Sequence, residues 1–122
     1  MRFFITAAAL LVASSLAWAQ QAPTKTENGA LVGPNGMSLY TFDKDVAGSG
    51  KSACNGPCIA NWPALAAASG DQAHGEYSII QRDDGASQWA YKGKPLYFWA
   101  KDAKPGDRNG DGVNQAWHLA RP

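Results

Sequence analysis

Apart from one apolar stretch near the start, residues 3–13, hydrophobic positions fall in segments of three to six residues, broken by Gly, Pro, Asn and Asp. Short runs with turn residues at close intervals are the pattern of antiparallel strands. The pattern predicts strands at 30–32, 37–42, 77–82, 88–91, 96–99 and 116–120. Gly33-Pro34-Asn35-Gly36 turns the chain between the first two, and Asp83-Asp84-Gly85 ends the third. Lys92-Gly93-Lys94-Pro95 joins 88–91 to 96–99 as a hairpin. Helix is predicted only over 57–61, where Pro57 suits a first turn and Pro63 stops it; residues 64–68 could add one turn. Residues 20–28 lack apolar periodicity and read as a flexible lead-in. The expected fold is mostly β: a compact antiparallel domain over 29–122 with one short helical turn.

An internal repeat organises this domain. Gly36, Leu39, Tyr40, Phe42, Lys44 and Asp45 recur as Gly93, Leu96, Tyr97, Trp99, Lys101 and Asp102, at a constant offset of 57. Each copy is followed, past a Gly-rich loop, by a tryptophan: Trp62 in the first and Trp117 in the second. Two copies are too few for a solenoid, which needs roughly three or more stacked units. They predict a pseudo-symmetric domain whose halves, about 29–65 and 77–122, complete one core. In a strand alternate residues share a face, so Tyr40 points with Phe42 and Tyr97 with Trp99, while Leu39 and Leu96 face the other way with Thr41 and Phe98. The second motif strand is apolar on both faces and is expected to be the more central. Each Asp lies beyond its strand, where the carboxylate can accept from backbone N–H groups of the following loop or from a tyrosine hydroxyl.

The motif Y-x-[FWY]-x-x-D, present as Tyr40/Phe42/Asp45 and Tyr97/Trp99/Asp102, resembles that of the secreted bacterial repeat family named for it, many of whose members are described as predicted lipoproteins. The likeness extends to the C-x3-C segment before Trp62-Pro63, to Lys104-Pro105-Gly106-Asp107 followed by Gly110 and Gly112, and to Trp117, covering about 31–122. It implies a secreted domain of unsettled role. The chain departs from the lipoproteins in having no lipobox cysteine, so no stable membrane anchor is expected.

The start of the chain fits export. Met1-Arg2, the apolar residues 3–13 and Ala17-Trp18-Ala19 have the order of a secretory signal, with cleavage expected after Ala19. The product would be soluble, in the periplasm or outside the cell. Lys plus Arg number 11 against 10 Asp plus Glu, so losing Arg2 leaves 10 against 10. That balance offers no footprint for nucleic acid. Cys54 and Cys58 are the only cysteines, and an oxidising compartment favours a disulfide across the Asn55-Gly56-Pro57 turn. Its expected use is to fix the segment carrying Trp62; a redox pair or soft-metal site is the sharper alternative.

Two functional classes follow. The first is a binding or interaction module for an envelope protein or surface ligand. The motif aromatics, with Trp62, Trp89 and Trp117, would stack flat ligands beside Asp45 or Asp102. The opposing reading places these aromatics in the core, and the needs of a small β domain favour it. Ligand binding requires that some of Tyr40, Trp62, Trp89, Tyr97 and Trp99 stay accessible. The second class is metal handling or thiol redox chemistry. Asp107, Asn109 and Asp111, with Gly112 at the turn, match half of an EF-hand-type calcium loop, but His118 stands where the bidentate Glu belongs. Met37, His74, His118 and the cysteines are ligand types that copper favours, although they show no tight spacing. No cofactor is expected. No nucleophile elbow, P-loop or dinucleotide fingerprint is present, so an enzyme is not expected.

Overall fold

A computed structural model describes residues 22–122; the expected signal segment lies outside the described residues. Seven short strands, one α-helical turn and one 3-10 turn form, in the order β1 (Lys25–Glu27), β2 (Ala30–Val32), β3 (Tyr40–Phe42), α1 (Pro57–Asn61), β4 (Tyr77–Gln81), β5 (Ser87–Tyr91), β6 (Lys94–Pro95), the 3-10 turn (Val113–Gln115) and β7 (Trp117–Leu119). All ladders are antiparallel: β1 with β2, β3 with β7, and β4–β5–β6 in order.

Four segments differ from the sequence expectation. The lead-in is not wholly flexible, because Lys25–Glu27 pair with Ala30–Val32. Asn28 and Gly29, at φ 49° and 76°, make the primed two-residue turn that Asn-Gly favours. The strand expected at 37–42 is a regular ladder only from Tyr40. Residues 96–99 are extended but form no ladder of their own. Tyr97 bridges Tyr40 on one side and Ala64 on the other, which puts this segment between two neighbours. Residues 64–67 are likewise extended rather than helical, since Ala64 bridges Tyr97 and Ala66 bridges Gln88.

The two halves exchange their C-terminal segments. Leu39 sits in a closed cycle of three backbone bonds: its N–H donates to Leu31 (3.1 Å), that of Leu31 to Ala120 (2.9 Å), and that of Ala120 back to Leu39 (2.8 Å). Leu96, its repeat partner, sits in the same cycle with Trp89 and Leu65, at 2.9 to 3.0 Å. Ala120 closes the second repeat yet completes the first cycle, and Leu65 of the first repeat completes the second. These six residues are the buried members of one core cluster. At the centre Tyr40 and Tyr97 exchange both backbone hydrogen bonds, 2.8 and 3.0 Å. Gly36 and Gly93 recur because both turns need the left-handed region, each at φ 80°.

The second core cluster holds Tyr40, Tyr97, Trp62, Trp117 and Cys54, with Phe42 and Trp99 packed against it. Cys54 and Cys58 form a disulfide with Cα atoms 5.1 Å apart. The Cys58 carbonyl accepts the Trp62 N–H (2.9 Å), so the bridge holds α1 where it delivers Trp62 to the core. In the loop-entropy account a ring this small contributes about 2 kcal/mol.

Candidate functional site

Each motif aspartate is held by the tyrosine of the other repeat. Tyr40 donates its hydroxyl to Asp102 Oδ2 and Tyr97 donates to Asp45 Oδ2, both at 2.6 Å. The remaining carboxylate oxygen takes a backbone N–H of the aspartate's own loop: Ala53 to Asp45 at 2.6 Å, Asn109 to Asp102 at 3.0 Å. Both acceptor roles expected of the aspartates are therefore filled at once. Each carboxylate ties its own loop to the opposite half.

The tyrosine rings are wholly buried, which disfavours the phenolate, and the adjacent carboxylates disfavour it further. Both phenols are pushed far above their ordinary range. Burial also raises the Asp45 carboxyl, against the opposing effects of the Tyr97 hydroxyl, the Ala53 N–H and the Arg82 charge. The tyrosines carry a consequence for alkaline stability. Their folded pKa lies above the unfolded value near 10, so above that pH the unfolded chain releases protons that the folded chain retains. Stability is then complete below pH 10 and falls above it, by about 1.4 kcal/mol per pH unit for each tyrosine. Urea unfolding at pH 9, 10 and 11 is expected to show a steepening loss that Tyr40→Phe and Tyr97→Phe each partly remove.

The other motif positions build a stack of four rings. Trp62 and Trp117 lie face to face, centroids 3.7 Å apart and 2° from parallel. Phe42 stacks on the outer side of Trp117 (4.1 Å), and Trp99 on the outer side of Trp62 (3.9 Å). Tyr40 and Tyr97 meet the stack edge-on, against Trp62 at 5.5 Å and Trp117 at 5.1 Å. Gly110 is required beside it: a Cβ there would lie 2.8 Å from the Tyr40 ring and 3.0 Å from Trp62. The Gly110 N–H also donates to the Tyr40 oxygen (3.2 Å).

Of the five rings whose accessibility ligand binding needed, Tyr40, Tyr97, Trp62 and Trp89 are buried. Trp89, Trp62 and Trp117 are core side chains, filling the interior of a domain with few long elements. Half-exposed ring surface survives at the ends of the stack, Phe42 and Trp99. Lys101 Nζ sits 5.7 Å from the Trp99 ring centroid and covers that end. The Phe42 end opens into a cleft of about 390 Å³ lined also by Lys44, Asn61, Trp62, Asn114 and Trp117. Asn114, which lines it, holds φ of 53°, a left-handed conformation that costs a non-glycine residue about 1 kcal/mol or more.

The metal candidates are not brought together. Asp107 Oδ2 accepts the N–H groups of Ala103 and Lys104, and Asp111 Oδ1 that of Leu119, so the calcium-loop carboxylates are turned onto backbone. Asn109 gives its N–H to Asp102. His118 Nε2 pairs with Asp43 Oδ2 (2.8 Å). His74 is half-buried; its Nδ1 donates to the Gln72 carbonyl and its ring edge meets Trp89. Met37 lines a separate cleft with Trp99. Among the described residues no three His, Cys, Asp or Glu side chains converge as a metal group would require.

One buried cation escaped the sequence reading. Arg82 is 4% exposed and donates to Ser52 Oγ (2.9 Å), Gln88 Oε1 (2.8 Å), the Cys54 carbonyl and Asn55 Oδ1, with Nε on Asp84 (3.1 Å). Ser52 passes the link to the Tyr97 hydroxyl (2.6 Å) and so to Asp45. The signal was strand alternation, since Arg82 shares the inward face of Ile80.

The profile of a family described as a secreted repeat of unknown function matches residues 23–66 and again 78–121. The chain belongs to that family. It is accordingly an exported protein of two secreted repeats, and the boundary between the matches falls between the two halves of the fold. No curated protein and no solved structure matches it. Among the described residues no helix is long and apolar enough to cross a membrane. In this secreted-repeat protein the two copies are joined by an exchange of Tyr–Asp bonds and ring faces.

Proposed function

We propose that the protein is a binding module of the cell envelope rather than an enzyme, and that its ligand site is the cleft at the Phe42 end of the ring stack. The observation supporting this is a half-exposed ring, rigidly backed by three further rings, at the mouth of a cleft with amide and ammonium groups on its rim. A preformed apolar wall with a few polar groups suits a ligand with one flat apolar face and hydroxyl or carbonyl groups at its edge. A pyranose ring of an envelope polysaccharide has both. The strain held at Asn114 falls on this rim, as expected of a recognition loop.

In this reading the signal segment is removed after Ala19 and the domain works in the periplasm or outside the cell; intact mass of the exported protein, beginning at Gln20, checks the first point. Binding is tested by tryptophan fluorescence during titration with N-acetylglucosamine oligomers and malto-oligosaccharides. A saturable change is expected, weakened about tenfold or more by Phe42→Ala. Asn114→Gly, which relieves the backbone strain, is expected to leave folding intact and weaken binding through the lost amide. No saturable change up to about 10 mM sugar, near the weak limit for a specific site, would overturn the proposal.

A further inference from the structure

A second pocket lies on the opposite side of the same ribbon. In the β3–β7 ladder Thr41 stands opposite His118, and both side chains point away from the ring stack. Together with the β5–β6 hairpin they enclose about 300 Å³, over a floor that includes the core residues Leu96 and Leu119. The two halves of the fold meet here as well, since β3 belongs to the first repeat and the hairpin to the second.

The charge of this pocket is one-sided. Lys92, Lys94 and Arg121 line it, and none of them enters an ion pair with a described residue. The only carboxylate at its wall, Asp43, is engaged by His118 at 2.8 Å. Three cations therefore face a cavity whose only anion is already partnered, in a chain whose overall charge is nearly balanced. Such convergence raises the local concentration of anions.

The groups are also held in place. Lys92 and Gly93 form a primed hairpin turn at φ 50° and 80°, and the Gly93 carbonyl accepts the Gly48 N–H at 2.9 Å. A Cβ on Gly93 would lie 2.6 Å from the Gly48 nitrogen, so this turn is packed onto the preceding loop. Arg121 is tethered through Nη1 to the Gly29 carbonyl (3.2 Å). Tyr91 supplies a half-exposed aromatic wall, with Lys92 Nζ 5.3 Å from its centroid. Cations on an anchored turn beside an apolar floor and a ring suit an anion with a flat apolar body.

We propose that this pocket is a binding site for a small organic dianion of the aromatic carboxylate class, independent of the cleft at Phe42. The test follows ¹H–¹⁵N chemical shifts of the domain during titration with isophthalate, with benzamide and inorganic phosphate as separate probes. Isophthalate is expected to give saturable shifts confined to 41–43, 91–96 and 118–121, and benzamide none. Lys92 and Lys94 are exposed, so Lys92→Ala/Lys94→Ala is expected to keep its thermal midpoint while weakening isophthalate about tenfold or more. Oligosaccharide binding at the Phe42 cleft is expected to be unchanged in that variant, which separates the two sites. No saturable shift with isophthalate, or affinity indifferent to the double substitution, overturns the proposal. Phosphate binding as tightly as isophthalate overturns the role given to the ring and the apolar floor.

Discussion

Trp117→Ala is expected to unfold most of the protein at 25 °C. Trp117 is 3% exposed and clasped between Phe42 and Trp62, with the Tyr97 edge against it. Truncating a buried tryptophan costs about 3–5 kcal/mol, and each lost aromatic pair adds roughly 0.5–1.5 kcal/mol. The sum approaches the whole stability of a domain this size, about 5–15 kcal/mol. Near-UV circular dichroism and urea unfolding check it. Trp117→Phe is expected to keep the fold with a smaller loss. Trp62→Ala is expected to match Trp117→Ala, because Trp62 occupies the equivalent place between Trp117 and Trp99. A loss below about 2 kcal/mol, little more than the burial of a few methylenes, would mean that the stack does not hold the halves together.

Arg82→Ala is the second large effect. Removing the guanidinium leaves the Cys54 carbonyl and the Gln88 amide oxygen buried without its donation, and takes from the Ser52 hydroxyl one of its donors, the Cys54 N–H remaining. Gln88 is itself fully buried and gives its amide N–H to the Leu96 carbonyl, so it cannot turn to water. Breaking a buried, multiply bonded charge costs about 3–5 kcal/mol. Arg82→Lys is expected to recover only part of this, since an ammonium cannot reproduce the planar fork. The loss should also be larger at neutral than at acid pH. Arg82 lowers the Asp45 carboxyl against the rise that burial imposes, and once Asp45 is protonated that favourable interaction is gone from both proteins. Equal losses at the two pH values would remove Arg82 from the Asp45–Tyr97 network.

The repeat and most of the strands were readable from residue types alone. Gly36 and Gly93 mark turns because each needs a positive φ, and Pro57 with Pro63 bounds α1 by removing donors at both ends. β1 was hidden because Lys25–Glu27 are all exposed and carry no apolar alternation; its only sign is the Asn28-Gly29 turn. The calcium-like letters at 107–112 misled because Asp serves a turn as well as a cation: Asp107 and Asp111 satisfy backbone N–H groups. The aromatic faces were legible, but their partners were not. Tyr40 and Asp45 lie close in sequence, and nothing local shows that each finds its partner in the other copy. The exchange is a property of two segments crossing, which only the tertiary fold displays. For the same reason the two pockets were invisible, since each draws residues from both repeats.

Double-mutant cycles on the motif tyrosines and aspartates, read by urea unfolding, test the exchange directly. Tyr40→Phe with Asp102→Asn, and Tyr97→Phe with Asp45→Asn, are predicted to be non-additive by about 1–3 kcal/mol, as for a buried hydrogen bond to a charged acceptor. Tyr40→Phe with Asp45→Asn, both from the first repeat, is predicted to be additive within about 0.5 kcal/mol. Coupling found within a repeat and absent between repeats would contradict the account.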